Sequence, residues 1–402
     1  MSGPVVVNGV QAVVEDFAPR SEPVRVLHFV TGGFSGGATQ VAIALTRAAL
    51  ADGERVQPLL VLRRKWGTDP ARIERLREEG IPVITVPRWP RLATILRLAA
   101  ICRSFRADVL VAHGYSEHLW GRYAGLLAGV RSLVQVEHNT RERYTPWRRA
   151  QTRWLARRTA RIVGCSEGVR DALLQMDLPA ERIVAIPNGI RLEPFAAAGE
   201  RPFARRIPGI VMVARFSRQK DHATLLRAVA LLRQRGLTPP VMLAGGGKPA
   251  HRRAMEVLVA ELGLSGQVHF LGVCKDVPAL LMEHQIAVLS THHEGMPLAL
   301  LEGMAAGCAV VGSDVEGVRE IIREGVDGML VARADPLQLS IALETLLGQP
   351  AYAGALAANA RASALEHFGL DLMNRRYADL FLSLAGQAGT AKGCSTRQER
   401  PV

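Results

Sequence analysis

The chain has 402 residues, 48% of them hydrophobic, enough to bury the cores of two domains. Its formal net charge is +13, carried mainly by Arg, since only positions 65, 220, 248, 275 and 392 are Lys. Aromatic residues make up 5% without the interleaving of a base-stacking platform, and the five cysteines form no C-x-x-C pair, so nucleic-acid binding, a cysteine metal knuckle and a disulfide framework are all disfavoured.

Residues 1–22 lack periodicity and are expected to be loose. No uncharged apolar run reaches the ~18 residues of a spanning helix, and no basic-then-apolar signal segment opens the chain. The expected location is the cytoplasm or the inner face of its membrane, and the Arg surplus suits attraction to an anionic membrane surface or to acidic substrates. An apolar strand over 24–30 leads into Gly32-Gly-Phe-Ser-Gly36-Gly37 and a helix over 38–51. Glycines there let backbone amides approach a phosphate. The spacing departs from the dinucleotide fingerprint G-x-G-x-x-G, and Arg63-Arg64 stand where a ribose-binding acid belongs.

Alternation continues with strands over 57–62, 83–86 and 109–113, and helices from 70 and over 91–105. The strand from 133 ends at Glu137-His138-Asn139, and His113 closes the strand before it. A helix over 146–158 carries Trp147 and Trp154 on one face, and eight Arg stand against one Glu between 141 and 161. That composition suits an interfacial helix or a solvated basic one. A strand over 161–165, with Ser166 as a helix cap, and a strand over 183–186 complete a first domain at 22–200. Residues 191–208 read as an aperiodic linker.

A second domain, 208–370, repeats the plan. Its strands are expected over 210–213, 241–244, 268–271, 286–290, 310–312 and 329–331, and its helices over 224–235, 249–262 and 316–324, with two more over 337–347 and 352–367. A last amphipathic helix, 371–385, is expected to pack back on the first domain, ahead of a solvated tail, 386–402. Two doubly wound parallel sheets, an α/β architecture, would then face each other across a cleft.

The chemistry concentrates in Thr291-His-His-Glu294-Gly295-Met296-Pro297-Leu298-Ala-Leu-Leu-Glu302. Glu294 falls in the loop at a strand's carboxyl end, and Pro297 suits the first turn of the helix that carries Glu302. The free amides of Leu298 and Ala299 form an anion site, and carboxylates beside it suit ligand hydroxyls. A paired acid/base hydrolase site is the rival reading of two such carboxylates. Arg215 and Lys220 follow an earlier strand end, where two cations can neutralise a diphosphate.

The order Ala214-Arg215-Phe-Ser-Arg-Gln-Lys220, Gly245-Gly-Gly247, Phe270-Leu-Gly-x-x-x-Asp276, E-x7-E and Gly325-Val-Asp-Gly328 resembles glycosyltransferase family 4. These are retaining enzymes of the two-domain GT-B fold, and the resemblance runs over about 24–385. It implies that Arg215 and Lys220 hold the donor diphosphate and that Gly36 and Gly37 approach it from the first domain. It assigns Glu294 and His138 to the donor sugar and Glu302 to the ribose diol, and residues 295–298 are expected to bind substrate as well. The family often has Gly where Ala214 stands and Ala where Gly303 stands. The resemblance implies no cofactor or metal, a nucleotide-diphosphate sugar donor, a glycan or lipid-linked acceptor, and a role in cell-surface polysaccharide or glycolipid assembly. A nucleotide-sugar 2-epimerase and a non-catalytic nucleotide-sugar-binding protein are the alternatives.

Overall fold

The computed structural model describes residues 22–34, 36–140 and 145–390. Parallel strands require crossovers, and the alternating pattern supplies them in two successive sets. The first set runs β1 (Val24–Thr31), α1 (Gly37–Asp52), β2 (Val56–Arg63), α2 (Pro70–Glu78), β3 (Val83–Val86), α3 (Arg91–Phe105) and β4 (Val109–His113). It continues with α4 (Glu117–Ala128), β5 (Ser132–Glu137), α5 (Pro146–Ala156), β6 (Arg161–Gly164), α6 (Glu167–Leu174) and β7 (Ile183–Ala185). The strands pair in the order β3-β2-β1-β4-β5-β6-β7, all parallel.

The second set runs β8 (Ile207–Val213), α7 (His222–Gln234), β9 (Val241–Ala244), α8 (Pro249–Glu261), β10 (Val268–Gly272), α9 (Val277–Glu283) and β11 (His284–Leu289). It ends with α10 (Leu298–Ala305), β12 (Ala309–Ser313), α11 (Glu316–Arg319), β13 (Met329–Val331), α12 (Pro336–Gly348) and α13 (Pro350–His367). These strands order as β10-β9-β8-β11-β12-β13, again all parallel. The winding reverses between β1 and β4 and between β8 and β11, and ligands of such sheets bind at those reversals. At each reversal one strand, β4 or β11, is buried along its whole length, so both faces are covered.

The last helix, α14 (Leu370–Thr390), leaves the second domain and lies on the first. Met373, Tyr377, Phe381 and Leu384 share one face and pack with Val26, Val41, Val109 and Val134. The helix therefore extends to 390, past the expected start of the tail; residues 391–402, like 1–21, lie outside the described residues.

Other expectations also give way. The first-domain pattern omits α4, whose interior Gly121 and Gly125 look like helix breakers. A Cβ at Gly121 would stand 2.7 Å from Ala112 Cβ, and one at Gly125 2.4 Å from Leu133 Cδ2, so bare backbone lets α4 lie close on β4 and β5. The aperiodic segment 191–208, between β7 and β8, carries two 3-10 turns, Glu193–Gly199 and Phe203–Arg205. Phe195 is buried there, and Arg206 donates to the carbonyls of Ala198, Ala306 and Gly307. The helix expected over 316–324 stops at Arg319. Gly303 in α10 answers to packing, because a Cβ would sit 2.9 Å from Ala287 Cβ on β11.

The seam between the domains is tight. A Cβ on Gly295 would stand 2.3 Å from the His138 carbonyl oxygen. The Glu320 carboxylate accepts from the Glu167 and Gly168 amides (2.7 and 2.5 Å), capping the start of α6 from the opposite domain.

Candidate active site

Both reversal points open on one cavity of about 560 Å³ between the domains. Its walls include all eleven expected residues: Gly36, Gly37 and His138 from the first domain, and Arg215, Lys220, Glu294, Gly295, Met296, Pro297, Leu298 and Glu302 from the second. The lining also takes in Asn139, Asn188 and Gln219, which sequence patterning does not single out. Asn188 sits in a Pro-Asn-Gly turn, a signal that looks purely structural. In the fold it is buried, with its Oδ1 unpartnered among the described residues.

Two loop devices set the cations. Gly245 (φ 153°) and Gly247 (φ 148°) let the loop after β9 press on the one after β8, where Cβ atoms would stand 2.0 Å from Ala214 O and 2.6 Å from Phe216 O. Phe216 is buried and stacks on His222 at 4.4 Å, while Arg215 between its buried neighbours is exposed on the cavity side. The chain then turns through the left-handed Asp221 (φ 31°), whose carbonyl accepts from Ser290 Oγ at 3.0 Å. This anchors Lys220 beside the loop after β11. Lys220 Nζ lies 2.5 Å from Glu294 Oε1, which also accepts from Thr291 Oγ1 at 2.8 Å. Cation and carboxylate thus form one mostly buried pair, an interaction that residues 74 apart do not announce in sequence.

Pro297 is the cap of α10 and lies one residue outside the helix, a correction to its expected first-turn place; no side chain caps the end. The amides at Leu298 and Ala299 therefore begin the helix at the cavity wall, as an anion site requires. One turn further in, burial pushes the Glu302 carboxyl up to about 7 from 4.5, against the opposing pull of Arg191. Glu302 is no exposed helix residue.

His138 follows β5 and is held by burial to a pKa of about 4, so its ring is neutral near pH 7. His113 stands directly behind it, with Nδ1 3.4 Å from His138 Nε2, and His28 behind that, with Nδ1 3.1 Å from His113 Nε2. Half-buried His138, after β5, is thus backed by two buried imidazoles from β4 and β1. Among the described residues no group of His, Cys, Asp or Glu could hold a metal ion.

On the basic helix α5, Trp147 is 72% and Trp154 46% exposed. Trp154 stacks on Tyr123 and lies under Arg158, so the two indoles do not form a free stripe.

Residues 35–194 match the Glycosyltransferase Family 4 profile, and residues 207–349 match Glycosyl transferases group 1. A Bacillus subtilis protein described as a glycosyltransferase, EpsF, is 30% identical over 318 residues, covering 73% of this chain and 80% of that protein. The match to EpsD of the same organism, 32% identical over 156 residues, spans 40% of that protein. The lipopolysaccharide core biosynthesis glycosyltransferase LpsE of Rhizobium meliloti is 25% identical across 90% of this chain and 99% of its own. Among solved structures, Anabaena HepE in complex with UDP and glucose superposes with a TM-score of 0.77 at 21% identity, over 90% of this chain and all of that one. Sucrose-phosphate synthase from Thermosynechococcus elongatus gives 0.76 at 20% identity, over 90% and 99%. These superpositions establish the GT-B fold.

Proposed function

Because the chain belongs to glycosyltransferase family 4, we propose that it moves a hexosyl group, with retention, from a nucleotide-diphosphate sugar to an acceptor hydroxyl. The observation that carries this is the convergence of two cations, two carboxylates, a helix amino terminus and a neutral His on one inter-domain cavity. Arg215, Lys220 and the amides opening α10 hold the diphosphate, with Gly36 and Gly37 closing over it. Glu302 receives the ribose diol, while Glu294 and His138 receive sugar hydroxyls.

In the reaction, the bond from the anomeric carbon to the diphosphate breaks, and the acceptor oxygen bonds to that carbon on the same face. The acceptor's proton passes to the departing phosphate oxygen. The negative charge that grows there meets Arg215 on the cavity wall and Lys220, which is mostly buried and already held by Glu294. Glu294 is engaged by Lys220 and Thr291, which favours a positioning role over nucleophilic attack.

The acceptor is a glycan or lipid-linked saccharide of cell-surface assembly. Support comes from LpsE and from an Escherichia coli relative, 24% identical over 261 residues, named as a galactosyltransferase acting on GlcNAc-diphosphoundecaprenol. The test is a thermal-shift panel of nucleotide-diphosphate sugars, followed by turnover with lipid-linked saccharides and proton NMR of the product anomer. A donor at ~100 times its dissociation constant adds about 2.7 kcal/mol of stability. Acceptor-dependent release of nucleoside diphosphate with a retained anomer supports the reading. An inverted product, epimer formation without acceptor, or no stabilising donor overturns it.

A further inference from the structure

The first domain carries a second surface that the proposed reaction does not use. β2 and β3 are neighbours at one edge of its sheet, so the loops that follow them lie side by side. Arg64 N donates to Val86 O at 3.1 Å, and the Arg88 guanidinium stacks 4.2 Å above the Trp66 ring. From these loops Trp66 is 91% and Trp89 68% exposed; Leu92 (65%) and Leu96 (51%), one turn apart on α3, continue the patch.

Around these apolar groups, residues 64–69 and 87–97 hold five basic side chains (Arg64, Lys65, Arg88, Arg91, Arg97) against a single acid, Asp69. Asp69 is itself turned to capping α2. Large exposed apolar side chains gathered on one rim and ringed by charge mark interaction sites. Indoles at loop tips with interleaved Arg fit the boundary where acyl chains meet phosphate headgroups.

We propose that this face docks the protein on an anionic lipid surface. Charge complementarity selects that occupant: an apolar protein partner would leave the basic rim uncompensated, and a second copy would set like charges against each other. The face also adjoins the cavity. Lys65 packs over Gly33, in the loop leading to Phe34 and Gly36 on the cavity wall. Docking here holds the cleft mouth near the headgroup plane, where a lipid-linked acceptor presents its saccharide. That consequence rests on the proposed function; the docking itself does not.

The experiment uses the full chain and needs no turnover, so its failure and that of the proposed function are separable. Co-sedimentation is measured with phosphatidylglycerol-containing and with pure phosphatidylcholine vesicles, at low and high salt. The expected result is binding to the anionic vesicles alone, released as salt rises. Trp66→Ser with Trp89→Ser should weaken it at least about tenfold, and Arg88→Gln or Arg91→Gln about fivefold each. Thermal unfolding should not change. Trp147→Ser on α5 should leave binding intact, which locates the surface on this face. Wild-type affinity in the double Trp variant, equal binding to neutral vesicles, or a concentration-dependent dimer lost in that variant while vesicle binding persists would each overturn the proposal.

Discussion

Glu302 offers the sharpest test of the cavity, because burial holds its carboxyl at about 7 when an ordinary one lies at 4.5. If the ribose diol donates to this group, the donor binds the ionised form. About half of the unliganded protein is then in the wrong protonation state at pH 7, and affinity should fall roughly tenfold for each pH unit below that. Titration calorimetry of a nucleotide-diphosphate sugar between pH 5 and 8.5 reads this directly, together with proton release near pH 7. His138, held near 4, stays neutral throughout and does not confuse the result. Glu302→Gln should flatten the profile and raise the Michaelis constant with little change in turnover.

Stability carries the same signature with a definite sign. The folded state binds more protons than the unfolded chain between 4.5 and about 7, so stability should decline as pH climbs through that window. At about 1.4 kcal/mol per pH unit the decline is at most about 3.5 kcal/mol, and Glu302→Gln should abolish it. A donor affinity independent of pH from 5 to 8 in the wild type would refute the assignment of Glu302 to the diol.

Lys220→Ala should lower turnover by roughly 10²–10³-fold at saturating donor, the scale for one pre-organised electrostatic contact. It should also cost about 3 kcal/mol in urea unfolding, since the Glu294 carboxylate loses its cation. Adding Glu294→Gln should restore much of that stability but none of the turnover; near-native turnover in Lys220→Ala removes the diphosphate role. Gly303→Ala gains about 1 kcal/mol of helix propensity but drives a methyl to 2.9 Å from Ala287 Cβ, so a net loss of about 1 kcal/mol is expected in thermal unfolding. A stabilised variant would show that α10 can shift freely. Gly295→Ala should cut turnover at least about tenfold, because its methyl would meet the His138 carbonyl and wedge the seam; unchanged kinetics would mean the seam is compliant.

The parallel, doubly wound architecture was legible because strand and helix periodicity are local properties, written wherever a segment is buried on both faces or one. The candidate site was legible for a related reason: glycine loops, E-x7-E and the Arg215–Lys220 spacing sit at strand ends, and a parallel sheet brings its strand ends to one edge. Local signals misled where distant neighbours set the rule. The sequence pattern omits α4, whose Gly121 and Gly125 are explained only by Ala112 and Leu133 beneath them, and residues 191–208 show no periodicity because Phe195 and Arg206 are held by contacts distant in sequence. Only the tertiary structure could pair Lys220 with Glu294, line His28 and His113 behind His138, raise the Glu302 carboxyl by burial, and bring Trp66 under Arg88 on an open face. Pairing, desolvation and exposure depend on which groups end up within a few ångströms of one another, and that is decided by how the sheets and helices pack.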